Sequence, residues 1–225
     1  MASAAGSTYV HNARVFTAAD STAGGSAAVA DAVIADGVVW TEGSIIRYAG
    51  PADGAPTRPQ AATALDAQGQ FVMPGMTEGH AHLSYANAHP QQLDKQPVPV
   101  AMLDALDNAR VLLGTGFTSA ISFGSAQGID VPLRDAIAQG RVPGPRLAAS
   151  DRDIGSTGSN ADSTAAGTEG KKLIADGPWA VRSAVRRLAR SRCDIVKIFL
   201  DGEAISAHAP PGVLTYTDEE VDAGR

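Results

Sequence analysis

The sequence predicts an α/β protein in two parts, a short segment of strands followed by strands and helices in alternation. Three observations carry that reading. Up to about residue 70, brief apolar runs are separated by glycine- and proline-rich turns. From Phe71 onward, strand-like runs alternate with stretches of helical spacing, and one of these runs ends in His80-Ala81-His82. With 44% hydrophobic and 19% charged residues among 225, the chain has material for a sizeable core.

The first part, residues 1–70, contains Tyr9-Val10, Val15-Phe16, Ala32-Val33-Ile34, Val38-Val39-Trp40 and Ile45-Ile46-Arg47-Tyr48. Turn signals such as Gly24-Gly25 and Gly50-Pro51 separate them, the pattern of a small antiparallel β unit. Residues 21–30, rich in Ala, Ser and Gly, read as a loop.

The second part, residues 71–225, opens with a strand running into His82. A helix is predicted over 98–113, where Met102, Leu103, Leu106, Ala109, Leu112 and Leu113 recur at helical spacing. A strand over 117–123 and a helix over 131–139, ended by Gly140, come next. The third strand is 146–149, and the helix over 178–190 has Pro178 suited to its first turn. The fourth strand is 195–200, and a last helix starts at Thr217, where Thr217 and Glu220 have the spacing of a capping box.

Side chains two apart on a strand point to one face, so His80 and His82 project together while Ala81 turns away. Neutral imidazoles are common ligands of zinc-like ions, and a pair from one strand leaves coordination positions for other ligands or water. Glu78 shares the alternation and is placed to accept the second ring N–H of a ligand histidine. With five histidines in the chain, a His-x-His pair arising without metal chemistry remains the alternative. In the fourth strand Ile195, Lys197 and Phe199 share a face, which sets the amine in an apolar interior where desolvation favours the neutral nucleophile. The alternative is a lysine whose stem packs while its ammonium reaches solvent.

The segment Pro74-Gly75-Met76-Thr77-Glu78-Gly79-His80-Ala81-His82 resembles the first barrel strand of the amidohydrolase superfamily. Cys193-Asp194-Ile195-Val196-Lys197-Ile198-Phe199-Leu200 is similar to its fourth strand. The stretch Gln139-Gly140-Arg141-Val142-Pro143-Gly144-Pro145-Arg146-Leu147 is similar to the branch with imidazolonepropionase-like proteins, Xaa-Pro dipeptidases and N-acyl amino acid hydrolases. The resemblance runs from about Thr8 onward. It implies the first half of a (β/α)8 TIM-like barrel, preceded by a small β-sandwich-type domain that strands from further along the polypeptide would complete. It implies two divalent metal ions, zinc foremost, held by His80, His82 and a carboxylated Lys197. It also implies an amide-cleaving hydrolase of N-acyl amino acids or dipeptide-like substrates, in which the ions activate water. Where the branch commonly has Thr-Gly-Gly-His, this chain has Thr157-Gly158-Ser159-Asn160, so Asn160 stands at a histidine position.

Loops at the C-terminal strand ends are expected to supply specificity. The candidates are Tyr85 and His89, Ser156 to Asn160, and Asp201, Glu203 and His208, with Tyr85, Asn160 and His208 singled out as substrate contacts. His89 and His208 read equally as loop residues, Asp201 and Glu203 as solvated acids, and His11 as an ordinary residue of the β unit. The loop over 155–159 lacks the Gly-Lys-Ser/Thr ending of a phosphate cradle.

A complete barrel needs about 250 residues and eight strands, whereas four are legible here. The family's later histidines and its general-base aspartate have no position in this sequence, so no general base is assigned. The chain is therefore expected to be an N-terminal half, inactive alone: a truncated sequence, a clipped product, or one of two chains that assemble into a complete barrel, with a complementing C-terminal chain or a homo-oligomer as the possible partner. A non-catalytic metal-binding or scaffold role is a rival, as is hydrolysis of a lactone, ester or organophosphate. A formal charge of −6 speaks against nucleic acid as a partner, and Arg182, Arg186, Arg187, Arg190 and Arg192 read as a solvated helix face. The single cysteine, Cys193, has no internal disulfide partner. No leader or membrane-spanning run is legible, so the expectation is a cytoplasmic protein acting on a small molecule.

Overall fold

The structure is a computed structural model that describes residues 6–18, 32–86, 95–162, 173–202 and 210–225, the side chain of residue 126 excepted. The chain divides into two compact units, Met1–Pro74 and Gly75–Arg225.

The first unit is one five-stranded sheet. β1 (Ser7–Phe16), β2 (Val33–Glu42) and β3 (Ile45–Pro51) form an antiparallel meander. β4 (Thr63–Asp66) and β5 (Phe71–Val72) both pair with β1 in parallel. The antiparallel expectation is thus corrected to a mixed sheet. The cause lies in β1 itself, which breaks register between Val10 and Ala13, with Asn12 at φ 53°. The turn between β4 and β5 hooks onto that break: Ala67 N–H donates to the His11 carbonyl, Gly69 N–H to Asn12 and Arg14 N–H to Gln70. One edge of β1 therefore carries two strands in succession. Phe71, expected to begin the second part, belongs here instead, its ring covered by the Arg14 guanidinium at 4.3 Å. Tyr9, Val38 and Ala62 form the unit's buried cluster. A second sheet of a sandwich is not formed among the described residues.

The second unit is built on a parallel sheet in the order β6 (Met76–Ala81), β7 (Phe117–Ser122), β8 (Arg146–Ala149). Gly75 lets the chain enter that sheet, because a Cβ there would stand 2.1 Å from Thr118 Oγ1. α1 (Val98–Gly114) packs on the sheet through Ala101, Ala105 and Ala109, each fully buried. The larger Met102, Leu106 and Leu112 lie partly buried beside them, and Leu103 is 62% exposed. Small residues at i, i+4 and i+8 bring the helix axis close to the strands, so the widest apolar side chains fall to the flanks of the contact. α2 (Asp130–Ala138) adds Leu133 to the same core.

β8 ends at Ala149, and the chain leaves the ladder through Asp151 at φ 66°. It returns as β9 (Ile154–Gly155), paired in parallel with β10 (Leu173–Ile174). α3 (Pro178–Arg190) buries Val181, Ala184 and Leu188 against Ile154, Leu173 and Tyr216, with its arginines outward. α4 (Asp218–Asp222) opens on the Thr217–Glu220 capping box, and Glu220 also accepts the Gly177 N–H at the start of α3. The expected fourth strand contracts to a single bridge between Ile154 and Ile198. Its physical reason is that Asp194 and Ile195 N–H both turn onto the one Ala149 carbonyl, which rotates the segment off the ladder. The described residues form a mixed α/β unit with a three-stranded parallel sheet, and a closed barrel is not formed among them.

Candidate functional site

The strand alternation of β6 delivers His80 and His82 to one place, their ring centroids 5.2 Å apart and tilted by 52°. The next strand supplies their surroundings. Phe123 N–H donates to the Ala81 carbonyl, carrying the pairing of β6 and β7 one residue further, and the Phe123 ring lies 4.7 Å from that of His80. His82 Nδ1 is 3.0 Å from the Gly124 carbonyl oxygen. A carbonyl only accepts, so Nδ1 is the donor in this contact, and in the neutral ring the lone pair is then on Nε2. Tyr85 stacks on the His82 ring, with centroids 4.6 Å apart and planes 8° from parallel. Glu78 differs from its expected part. Its carboxylate accepts the backbone N–H of His80 at 2.9 Å, which fixes the strand end rather than a ring nitrogen.

Lys197 arrives from a different segment. Ile154 N–H donates to the Lys197 carbonyl and Phe199 N–H returns to the Ile154 carbonyl, so Ile198 turns into the α3 core while Lys197 and Phe199 face the other way. Lys197 Nζ lies 4.8 Å from the Phe199 ring centroid and 5.5 Å from that of Phe123. One aromatic ring therefore borders both His80 and Lys197. The segment is anchored upstream by Asp194, which takes the Ala149 N–H at 2.9 Å and Arg134 at 2.6 Å. Burial opposes ionisation of Asp194, but the Ala149 N–H and the Arg134 guanidinium outweigh it and hold the carboxyl below the usual range.

Beneath the Phe123–Ser125 turn is a group of buried polar residues. Asp130 accepts Ser125 Oγ–H at 2.8 Å, the Ser150 N–H at 3.0 Å and the Asp151 N–H at 3.3 Å. Burial pushes its carboxyl up, against the pull of Ser125, Ser122 and the Ser150 N–H.

The donor set fits a divalent ion in two respects. Two imidazoles from one strand converge, and the Nδ1 contact of one is made to a carbonyl, the arrangement that orients metal-ligating histidines. A group of three or more His, Cys, Asp and Glu side chains suited to a metal is not present among the described residues. Any third protein ligand from these residues thus has to be of another kind, and Lys197 is the neighbouring group.

Of the other expected positions, Asn160 is half-buried in the turn after β9, where Thr157 donates to Asp176 and Gly158 N–H to Asp162. Asp201 accepts the Gly212 N–H. His89, Glu203 and His208 lie outside the described residues. Phe123, Gly124 and Asp130 were not singled out from the sequence. A glycine directly after the strand expected over 117–123 was the available signal for the turn.

No family model matches the chain. Over 50 residues, 22% of this chain and 12% of the relative, it is 46% identical to an imidazolonepropionase of Caulobacter vibrioides. It is similar to the solved structure of a prolidase complexed with N-methylphosphonate-L-proline (TM-score 0.81, 26% identity, 96% of this chain and 52% of that one). A Xaa-Pro dipeptidase with bound methionine in its active site gives a TM-score of 0.79 at 26% identity over 97% of this chain and 53% of that one. The chain spans about half the length of these solved chains. No described helix is long and apolar enough to cross a membrane.

Proposed function

We propose that this chain, which belongs to the amidohydrolase superfamily, carries the metal-holding part of a hydrolytic site that cleaves the amide bond of an N-acyl amino acid or dipeptide-like substrate. The single observation that supports the reading is that the Phe123 ring borders both His80, which is paired with His82, and Lys197, residues carried by segments far apart in sequence. The likeness to a prolidase and a Xaa-Pro dipeptidase supports the dipeptide-like class.

In this reading His80 and His82 would hold a divalent ion, and a carboxylated Lys197 would supply further oxygen ligands. When bound, such ions lower the pKa of water and polarise a carbonyl group. Lys197 would acquire its ligand atoms by carboxylation: the ammonium first gives one proton to solvent, the neutral Nζ then adds to the carbon of carbon dioxide as one C=O π bond breaks, and loss of a second proton from nitrogen to solvent leaves an N-carboxylate at the end of the side chain. Lys197 is half-buried rather than set in an apolar interior, with its Nζ beside the Phe123 and Phe199 rings. Tyr85 closes one face of His82 and limits the ring's rotation. The proton acceptor for the attacking water is proposed to lie outside these residues, in the half of the aligned structures that the chain does not span.

The test is metal analysis of the 225-residue chain, followed by hydrolysis of an N-acyl amino acid and of an Xaa-Pro dipeptide. Both assays are run with and without a polypeptide matching the remaining half of the aligned structures. Zinc retained through His80 and His82, with turnover only in the complemented sample, is expected. Zinc content unchanged in a His80→Ala, His82→Ala double variant would overturn the reading, and rapid turnover by the chain alone would refute the assignment of the proton acceptor elsewhere.

A further inference from the structure

We propose that Gly124 is a positioning residue for the histidine pair: its backbone carbonyl holds His82 in the Nδ1–H tautomer, so that Nε2 is the atom presented for ligation. The proposal rests on the metal reading above only for that last consequence.

Three features immobilise the carbonyl. On one side, Phe123 N–H is bound to the Ala81 carbonyl of the strand that carries the histidines. On the other, Ser125 N–H donates to the Asp151 carbonyl at 2.9 Å, and Ser125 Oγ–H to the buried Asp130. Between these clamps Gly124 sits at φ 107°, a conformation open to glycine and strained for other residues. Its Cα faces the Asp153 carboxylate so closely that a Cβ would stand 1.9 Å from Oδ1, and Asp153 is itself buried. The peptide is thereby fixed on three sides with its oxygen directed at His82 Nδ1. A side chain at position 124 has to move the carboxylate, the turn or both, and each movement shifts the carbonyl. The carbonyl group exists at every residue, but only a glycine leaves the space that aims this one.

Ring-15N-labelled histidine in the full 225-residue chain gives the tautomer directly from long-range 15N–1H correlations, with His82 assigned by its loss in His82→Gln. Zinc affinity is measured on the same samples by competition with a chromophoric chelator. The wild type is expected to show His82 as the Nδ1–H form. Gly124→Ala should lose that preference and bind zinc about 10- to 100-fold more weakly, the usual effect of removing an orienting partner. Gly116→Ala is the matched control, a glycine at φ 94° beside the opposite end of β7, and should retain both properties. Should Gly124→Ala fail to fold, Ser125→Ala releases one clamp more gently, and the wild-type tautomer needs no variant at all. An Nε2–H form in the wild type, or the Nδ1–H form with unchanged zinc affinity in Gly124→Ala, would overturn the proposal. Nδ1–H in a wild type that binds no zinc would instead sink the metal reading and leave the orienting role of Gly124 standing.

Discussion

Phe123→Ala separates packing from orientation at the site. Truncating a fully buried phenylalanine costs about 3–5 kcal/mol. Phe123 is half-buried, which scales the loss to ~2 kcal/mol, with about 0.5–1.5 kcal/mol of that in its contact with the His80 ring. For a urea dependence of roughly 2 kcal/mol per molar, the unfolding midpoint should fall by about 1 M. Removing the ring also removes the wall shared by His80 and Lys197, so zinc affinity should fall about 10-fold or more. Phe123→Leu restores apolar bulk without a flat face, and should recover more of the midpoint than of the affinity. Urea titration by circular dichroism and zinc competition on the same preparations read the two effects separately. Wild-type zinc affinity in a Phe123→Ala protein whose midpoint has dropped by the expected amount would refute the orienting role and leave Phe123 a packing residue.

Lys197→Ala should lower the zinc content by the equivalent that depends on the lysine while the histidine-held ion remains, and unchanged two-metal content would exclude the carboxylated side chain. The raised carboxyl of Asp130 means that the folded chain holds this proton more tightly than the unfolded one. Its contribution to stability is therefore complete below the unfolded carboxyl range, about pH 3.9, and is lost as pH rises toward the folded value. Asp130→Asn should accordingly flatten the decline in urea stability between pH 4 and pH 7, and parallel pH profiles for the two proteins would contradict the burial argument. Leu188, fully buried between α3 and β9, should cost about 2–5 kcal/mol on truncation to Ala; a loss under ~1 kcal/mol by chemical unfolding would show that this cluster is not the core of its region.

What was legible in the sequence is what local pattern dictates. The helix over 178–190 and the strand over 146–149 are observed with those bounds, because Pro178 marks one start and Gly144-Pro145 precedes the other. The Thr217–Glu220 box is formed because both of its bonds close within four residues. The non-local choices were not legible. Nothing in Thr63-Ala64-Leu65-Asp66 states whether it meets β1 parallel or antiparallel, since that follows from a register break on the other strand. The spacing around 98–113 identified a helix but overvalued Leu103, because proximity to the sheet selects the small residues Ala101, Ala105 and Ala109. The fourth strand has the composition of a strand, yet pairing depends on a partner, and β9 offers two residues. At the site, the His pair and Lys197 could be named by side-chain chemistry. Gly124 acts through a carbonyl that every residue has, so only the fold distinguishes it.

The three candidate groups, His80, His82 and Lys197, are placed by different physical means, and this sets how each responds to change. The histidines are placed by adjacency within β6, where the two-residue period suffices. Lys197 is 115 residues from His82 and has no extended ladder to hold it. Its position depends on the Ile154–Ile198 bridge and on the anchor at Asp194. That anchor belongs to a larger ionic group: Arg134, only 15% exposed in its side chain, bonds Asp194, Asp135 and the Arg192 carbonyl, and Arg192 returns to Asp135. Arg134 stands on α2, whose first residue, Asp130, receives the Ser125 hydroxyl of the turn that aims the Gly124 carbonyl. One nine-residue helix therefore ties both halves of the site to a common frame, through a carboxylate at its N-terminal end and a guanidinium one turn later. Because the helix is rigid over that distance, a displacement of α2 moves the partner of His82 and the anchor of the Lys197 segment together, which couples the placement of the two candidate metal-holding elements without direct contact between them.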